Sequence, residues 1–202
     1  MSTAHAAVPD YRGAMTASPD WTRPPREEGW FAEDLDRLHG APRHIELIDG
    51  ALVHMMAPQR FWHGYVIDML VSAFRAQAPH GIHVARELTV RLDLHNRPEP
   101  DIIVTRSPFA RGQTWAEPAD VLLAVEVVSP ESAERDRTIK PRKYAQAGIA
   151  HFWRVEEDDR TVTVHVHELE GSGKRYREVG VFDDELVLSA PFDIKLRLTE
   201  LT

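Results

Sequence analysis

The sequence predicts a mixed α/β (α+β) chain, with one mixed β-sheet flanked by helices. Three observations lead there. Residues Val121-Leu122-Leu123-Ala124-Val125-Glu126-Val127-Val128 form an apolar run of strand length, as in a strand buried on both faces. Residues from Thr161 to His167 alternate, with Val162, Val164 and Val166 on one side, the period of a half-buried strand. Between the strand-like segments lies a stretch from Phe61 to Ala78 with an apolar stripe at helical spacing, formed by Tyr65, Val66, Met69, Leu70, Ala73 and Phe74.

The remaining elements follow in order. Residues 1 to 25 carry Pro9, Pro19, Pro24 and Pro25 without periodicity and read as a mobile arm. Residues 26–202 are then a single domain. Trp30, Phe31, Leu35 and Leu38 predict a short helix ending by Gly40 and Pro42. Asp49-Gly50 sits between Ile45, Leu47 and Leu52, Val53, a strong hairpin signal. The Phe61–Ala78 helix ends at Pro79 and Gly81. Strands are expected at 82–86, 88–94, Asp101 to Thr105, around Phe152-Trp153, and in short pieces over 175–198. A helix lies within 132–147 and stops at Gly148. Pro141 suits a first helical turn, so that helix begins near Ile139 or is kinked.

Composition narrows the function classes. The 202 residues are 43% hydrophobic and 28% charged, with no cysteine. Disulfides and thiolate metal sites are excluded, and a reducing compartment fits. No apolar run approaches the ~20 residues of a membrane helix, and the N-terminus has no apolar signal core. The expected location is cytoplasmic. The net charge is −8, from 24 basic and 32 acidic residues. That disfavours broad, non-specific grip on nucleic acid and leaves room for a local basic cleft.

The chemistry centres on Asp101 and Glu126. Asp101 starts one strand and Glu126 lies near the end of the next. Paired antiparallel as neighbours, the two strands bring the carboxylates together at one edge of the sheet. Glu126 stands inside an apolar run, where an ionised carboxylate needs a cationic partner. Two converging carboxylates also repel each other and push one pKa upward unless a cation sits between them. That cation is either a divalent metal such as Mg²⁺, which takes one or two carboxylates and keeps waters, or an Arg or Lys in a structural salt bridge. Asp136, Lys140 and Tyr144 follow at i, i+4 spacing on one helix face. Lys140 is placed either toward the carboxylates or in a solvent-facing ion pair with Asp136.

Glu46 reads by itself as a solvated strand residue. His63, near the start of the long helix, reads as a surface histidine, with a proton shuttle facing the site as the sharper alternative. His165 and His167 share the solvated side of their strand. Arg135, Arg137, Arg142 and Lys143 make 135–143 locally basic, as a phosphate-facing patch or a charged helix surface.

Taken together, Glu46-Leu47-Ile48-Asp49-Gly50, Pro100-Asp101, Glu126-Val127-Val128-Ser129-Pro130, Asp136 with Lys140 and Tyr144, Gly148 and Phe152-Trp153 resemble the Uma-two family of proposed endonucleases. That family is similar to the PD-(D/E)XK, or restriction-endonuclease-like, superfamily. The resemblance spans roughly residues 30 to 200 and rests on the order of its motifs. It implies a restriction-endonuclease-like fold and a divalent-metal-dependent DNA endonuclease using Mg²⁺, or Mn²⁺ in its place. Asp101, Glu126 and the backbone carbonyl of Val127 would be metal ligands, Glu46 an additional acid, and Lys140 a catalytic lysine. DNA would be the substrate, and a homodimer is the class-level expectation for cutting two strands. One departure stands out: the superfamily lysine two residues after the second acid is Val128 here, so Lys140 would have to take its place. Two other functions remain open: a non-catalytic binding or assembly module on the same fold, and a metal-dependent hydrolase of a smaller phosphate substrate.

Overall fold

The apolar run at 121–128 becomes the centre of the sheet. The computed structural model describes residues 20–54, 59–171 and 174–201. Its strands are β1 (Ile45–Ile48), β2 (Ala51–His54), β3 (His83–Arg86), β4 (Thr89–Val90), β5 (Ile102–Thr105), β6 (Trp115–Ala116), β7 (Val121–Val127), β8 (His151–Asp158), β9 (Thr161–Leu169), β10 (Tyr176–Phe182), β11 (Glu185–Leu188) and β12 (Ile194–Arg197). The α-helices are α1 (Phe61–Gln77) and α2 (Lys140–Gln146). Six strands form the main sheet in the order β10-β9-β8-β7-β5-β3. Within this sheet β7 and β8 run parallel and the other described neighbours antiparallel, because the π-helical turn Arg135–Ile139 and α2 cross over between β7 and β8. Among the described residues, no helix is long and apolar enough to cross a membrane.

Strand alternation divides β7 between two cores. Leu123, Val125 and Val127 face α1, packing with Val66, Leu70, Phe74 and Trp153. Ala124 turns to the other side, with Ile103, Tyr144, Ile149 and Phe152. Glu126, two residues on, therefore points to the α2 side. Phe74 is fully buried, with its ring centroid 5.4 Å from that of Trp153.

The Asp-Gly hairpin forms as expected between β1 and β2. Asp49 and Gly50 both have positive φ, 50° and 77°, which a tight primed turn requires. The hairpin is tied to the 89–97 region: Leu47 and Arg97 exchange backbone hydrogen bonds. Arg97 is buried and donates to Asp36, Thr89, Thr114 and the Ala32 carbonyl.

Several expectations are corrected. The strand expected over 88–94 is only Thr89–Val90, paired in parallel with β6. Beyond it the Leu92 and Asp93 amides turn back to the Asn96 carbonyl. The helix expected from Trp30 to Leu38 is a 3-10 segment, Ala32–Arg37. The arm expected over residues 1–25 lies outside the described residues as far as residue 19. Asp20–Thr22 form a 3-10 turn, and Trp21 meets His54 edge-on.

Candidate active site

The β5–β7 register pairs Ile102 with Val125 and Ile103 with Ala124. Continued by one step, it sets Asp101 opposite Glu126. The Val127 amide donates to Asp101 Oδ2 at 2.6 Å, so the strand that carries Glu126 also fixes the Asp101 carboxylate. Asp101 Oδ1 faces His63 Nε2 at 3.6 Å, beyond hydrogen-bond length.

Lys140 enters from α2. The π-helical turn keeps Asp136 and Lys140 on one inner face, and Pro141 sits in the first turn of α2, where its missing N–H costs nothing. Lys140 Nζ lies 2.7 Å from Glu46 Oε1, 3.0 Å from Glu126 Oε2 and 3.4 Å from Asp136 Oδ1. Tyr144, one turn on, donates its hydroxyl to Glu126 Oε1 at 2.6 Å. Glu46 Oε1 also accepts the Glu99 amide at 2.9 Å. Glu46, Glu126, Asp136, Lys140 and His63 are all buried.

Burial sets the electrostatics. It pushes the Glu126 carboxyl well above the usual carboxylate range, against the pull of Lys140. Asp136 is raised for the same reason. Burial alone would depress the Lys140 ammonium, but Glu126, Glu46 and Asp136 outweigh it and hold the charge well above its ordinary range. Burial also raises the Tyr144 phenol, with help from Glu126. His63 would be lowered by burial, but the Asp101 carboxylate and the Val127 backbone outweigh that, and its pKa is raised.

The structure therefore brings Asp101, Glu126, Glu46, Asp136 and Lys140 into one cluster. The solvent-facing reading of the Asp136–Lys140 pair is overturned, because β1 and β7 supply carboxylates on the inner side of α2. The solvated reading of Glu46 fails because Glu99 and Lys140 cover it. His63 is 5% exposed, not a surface histidine. The Val128 amide donates to the Val155 carbonyl, continuing the ladder between β7 and β8. The basic 135–143 segment is divided: Arg137 pairs with Glu156, Lys143 with Asp49 at 2.5 Å, and Arg142 is exposed.

The opposed acids thus sit at the ends of two neighbouring strands, β5 and β7, backed by α2. The model of the Uma2 family, described as "Putative restriction endonuclease", matches residues 32–199. The chain belongs to that family. A similar solved structure, described as "a putative nuclease belonging to DUF820" from Anabaena variabilis, superposes with a TM-score of 0.64 at 19% identity. The match covers 84% of this chain and 95% of that one, and it shows the shared fold. No curated protein matches the chain.

Proposed function

We propose that the chain is a divalent-metal-dependent endonuclease that hydrolyses phosphodiester bonds of DNA. The observation that carries this reading is a charge imbalance. Four buried or half-buried carboxylates, Glu46, Asp101, Glu126 and Asp136, surround one buried ammonium, Lys140, with the Arg135 guanidinium 4.0 Å from Glu46 as the other cation at the cluster. Such a cluster, withdrawn from water, favours a further cation.

The donors present fit Mg²⁺ or Mn²⁺. Asp101 and Glu126 supply oxygens, and the Val127 carbonyl lies beside them; Glu46 is an additional acid of the same cluster. Among the described residues, no three His, Asp or Glu side chains are grouped as a ready metal cage. A site of few protein ligands, completed by waters and phosphate oxygens, is usual for Mg²⁺. When bound, the ion would polarise the scissile phosphate and lower the pKa of an attacking water.

The chain's own residues do the rest. The Val127 amide orients Asp101, and Tyr144 and Lys140 orient Glu126 through its two oxygens. Lys140 stabilises the charge that develops on the phosphate, taking the place left by Val128. Glu46 and Asp136 keep the ammonium charged.

The test is incubation of purified protein with supercoiled, linear and single-stranded DNA in Mg²⁺ or Mn²⁺. Cleavage is expected, with Asp101→Ala and Glu126→Ala inactive and Lys140→Met slowed by roughly 10²–10³. Cleavage that persists in both acid variants would overturn the assignment. One observation favours a second reading, a non-catalytic module that keeps the fold. Lys140 is already matched by two close carboxylates, as in a structural ion network. Clean protein that cuts no DNA form and binds no Mn²⁺ supports that reading.

A further inference from the structure

His63 is the polar residue on the buried face of α1, where it lies among Val66, Ile67, Leu70, Val71 and Phe74. A buried imidazole needs partners. Its ring meets the Val127 backbone and lies 3.6 Å from Asp101 Oδ1. The other Asp101 oxygen is taken by the Val127 amide. Each Glu126 oxygen accepts one hydrogen bond, from Lys140 or Tyr144, and keeps a second lone pair. Asp101 Oδ1 is the carboxylate oxygen that faces the His63 ring, at a distance too long for a good direct hydrogen bond.

Resting on the metal-dependent reading above, we infer that His63 is a nitrogen ligand of the bound ion, added to the oxygens of Asp101 and Glu126 and the Val127 carbonyl. The spacing suits this. Two donors at about 2.1 Å from one ion, at angles of about 90–120°, lie about 3.0–3.6 Å apart. Space suits it too. A cavity of about 230 Å³ opens beside His63, lined by Arg60, Trp62, Val128, Ser129 and Pro130 among others. The space on the Lys140 side is only about 40 Å³. The larger space therefore lies on the His63 side, where waters and a phosphate group can approach its ring. A nitrogen donor also changes selectivity. Imidazole suits transition ions, whereas Mg²⁺ prefers oxygen, so this site should bind Mn²⁺ more tightly than Mg²⁺.

The test is pulsed electron paramagnetic resonance of Mn²⁺ bound to the full chain, prepared with natural and with ¹⁵N-labelled histidine. A directly coordinated imidazole nitrogen is expected, shifting with the label and absent in His63→Gln. Calorimetry should show His63→Gln binding Mn²⁺ at least about tenfold more weakly, under conditions where its melting curve shows the metal-free variant folded. Bound Mn²⁺ without a coupled nitrogen overturns the inference and leaves the metal-dependent reading standing. A coupled nitrogen that persists in His63→Gln also overturns it. Failure of the unaltered chain to bind Mn²⁺ overturns both. Absence of a coupled nitrogen on the unaltered chain overturns the inference whatever the variant does, and His63→Asn serves as a second variant for the assignment if His63→Gln misfolds.

Discussion

At the scale of single residues, the site is a competition between burial and charge. Glu126 and Asp136 have folded-state pKa values raised above their ordinary 4.5 and 3.8. The folded chain therefore holds protons that the unfolded chain releases, and stability falls as pH rises from about 4 through the raised values. Lys140 works in the opposite window. Its raised pKa contributes stability that is full below its ordinary 10.5 and is lost as pH climbs through the folded value. In metal-free protein, Asp136→Asn should relieve repulsion with Glu126 and Glu46. At pH 8 it should raise the melting temperature by about 2–4 °C, equivalent to ~1 kcal/mol in a chain of this size. At pH 4 the gain should shrink. Thermal unfolding at both pH values checks this, and a lower melting temperature for the variant at pH 8 would contradict it.

The residues differ in how legible they were. Glu126 announced itself as a carboxylate in an apolar run, and Lys140 followed from i, i+4 spacing with Asp136 and Tyr144. His63 and Glu46 did not. Each stands in a stretch whose local pattern suits solvent as well as core. Their burial comes from partners distant in sequence: Asp101 and Val127 for His63, Glu99 and Lys140 for Glu46. The signal available for His63 was its place on the α1 face that also holds Ile67, Leu70 and Phe74.

At the scale of elements, three pieces place the cluster. The β5–β7 register opposes Asp101 and Glu126, the π-helical turn into α2 aims Lys140, and the β1–β2 hairpin delivers Glu46. The first could be read from strand order. The second was foreshadowed by Pro141, which marks a helix start. The third depends on Arg97, whose side chain is 3% exposed and clamps Asp36. That clamp was not legible, because its partners Ala32, Asp36, Thr89 and Thr114 lie in three separate segments. The strand expected over 88–94 is cut to Thr89–Val90 for a related reason: among the described residues its strand partner is β6, a two-residue strand, and alternation over 88–94 carries no such information. Arg97→Met should destabilise the fold by about 3 kcal/mol, near the low end for a broken buried ion pair because Asp36 stays part-exposed. Urea unfolding measures it, and a loss below about 1 kcal/mol would show that the clamp is dispensable. Phe74→Ala, which empties the contact between α1 and Trp153, should cost about 3–5 kcal/mol by the same assay.

At the scale of the molecule, the acidic balance of −8 and the ion-paired state of Arg137 and Lys143 limit the cationic surface offered to a polyanion. DNA binding should therefore rest on few phosphate contacts. The slope of log K against log salt should be no steeper than about −3, corresponding to roughly three neutralised phosphates. Fluorescence anisotropy across a salt series tests this, and a slope near −6 would reveal a basic surface other than 135–143. The central claim is narrower: the Asp101–Glu126 edge holds a divalent cation. Calorimetric titration of metal-free protein with Mn²⁺ at neutral pH measures this most directly. The account predicts one saturable site per chain, lost in Asp101→Ala while the fold is retained. Absence of binding, or binding unchanged in Asp101→Ala, would contradict it.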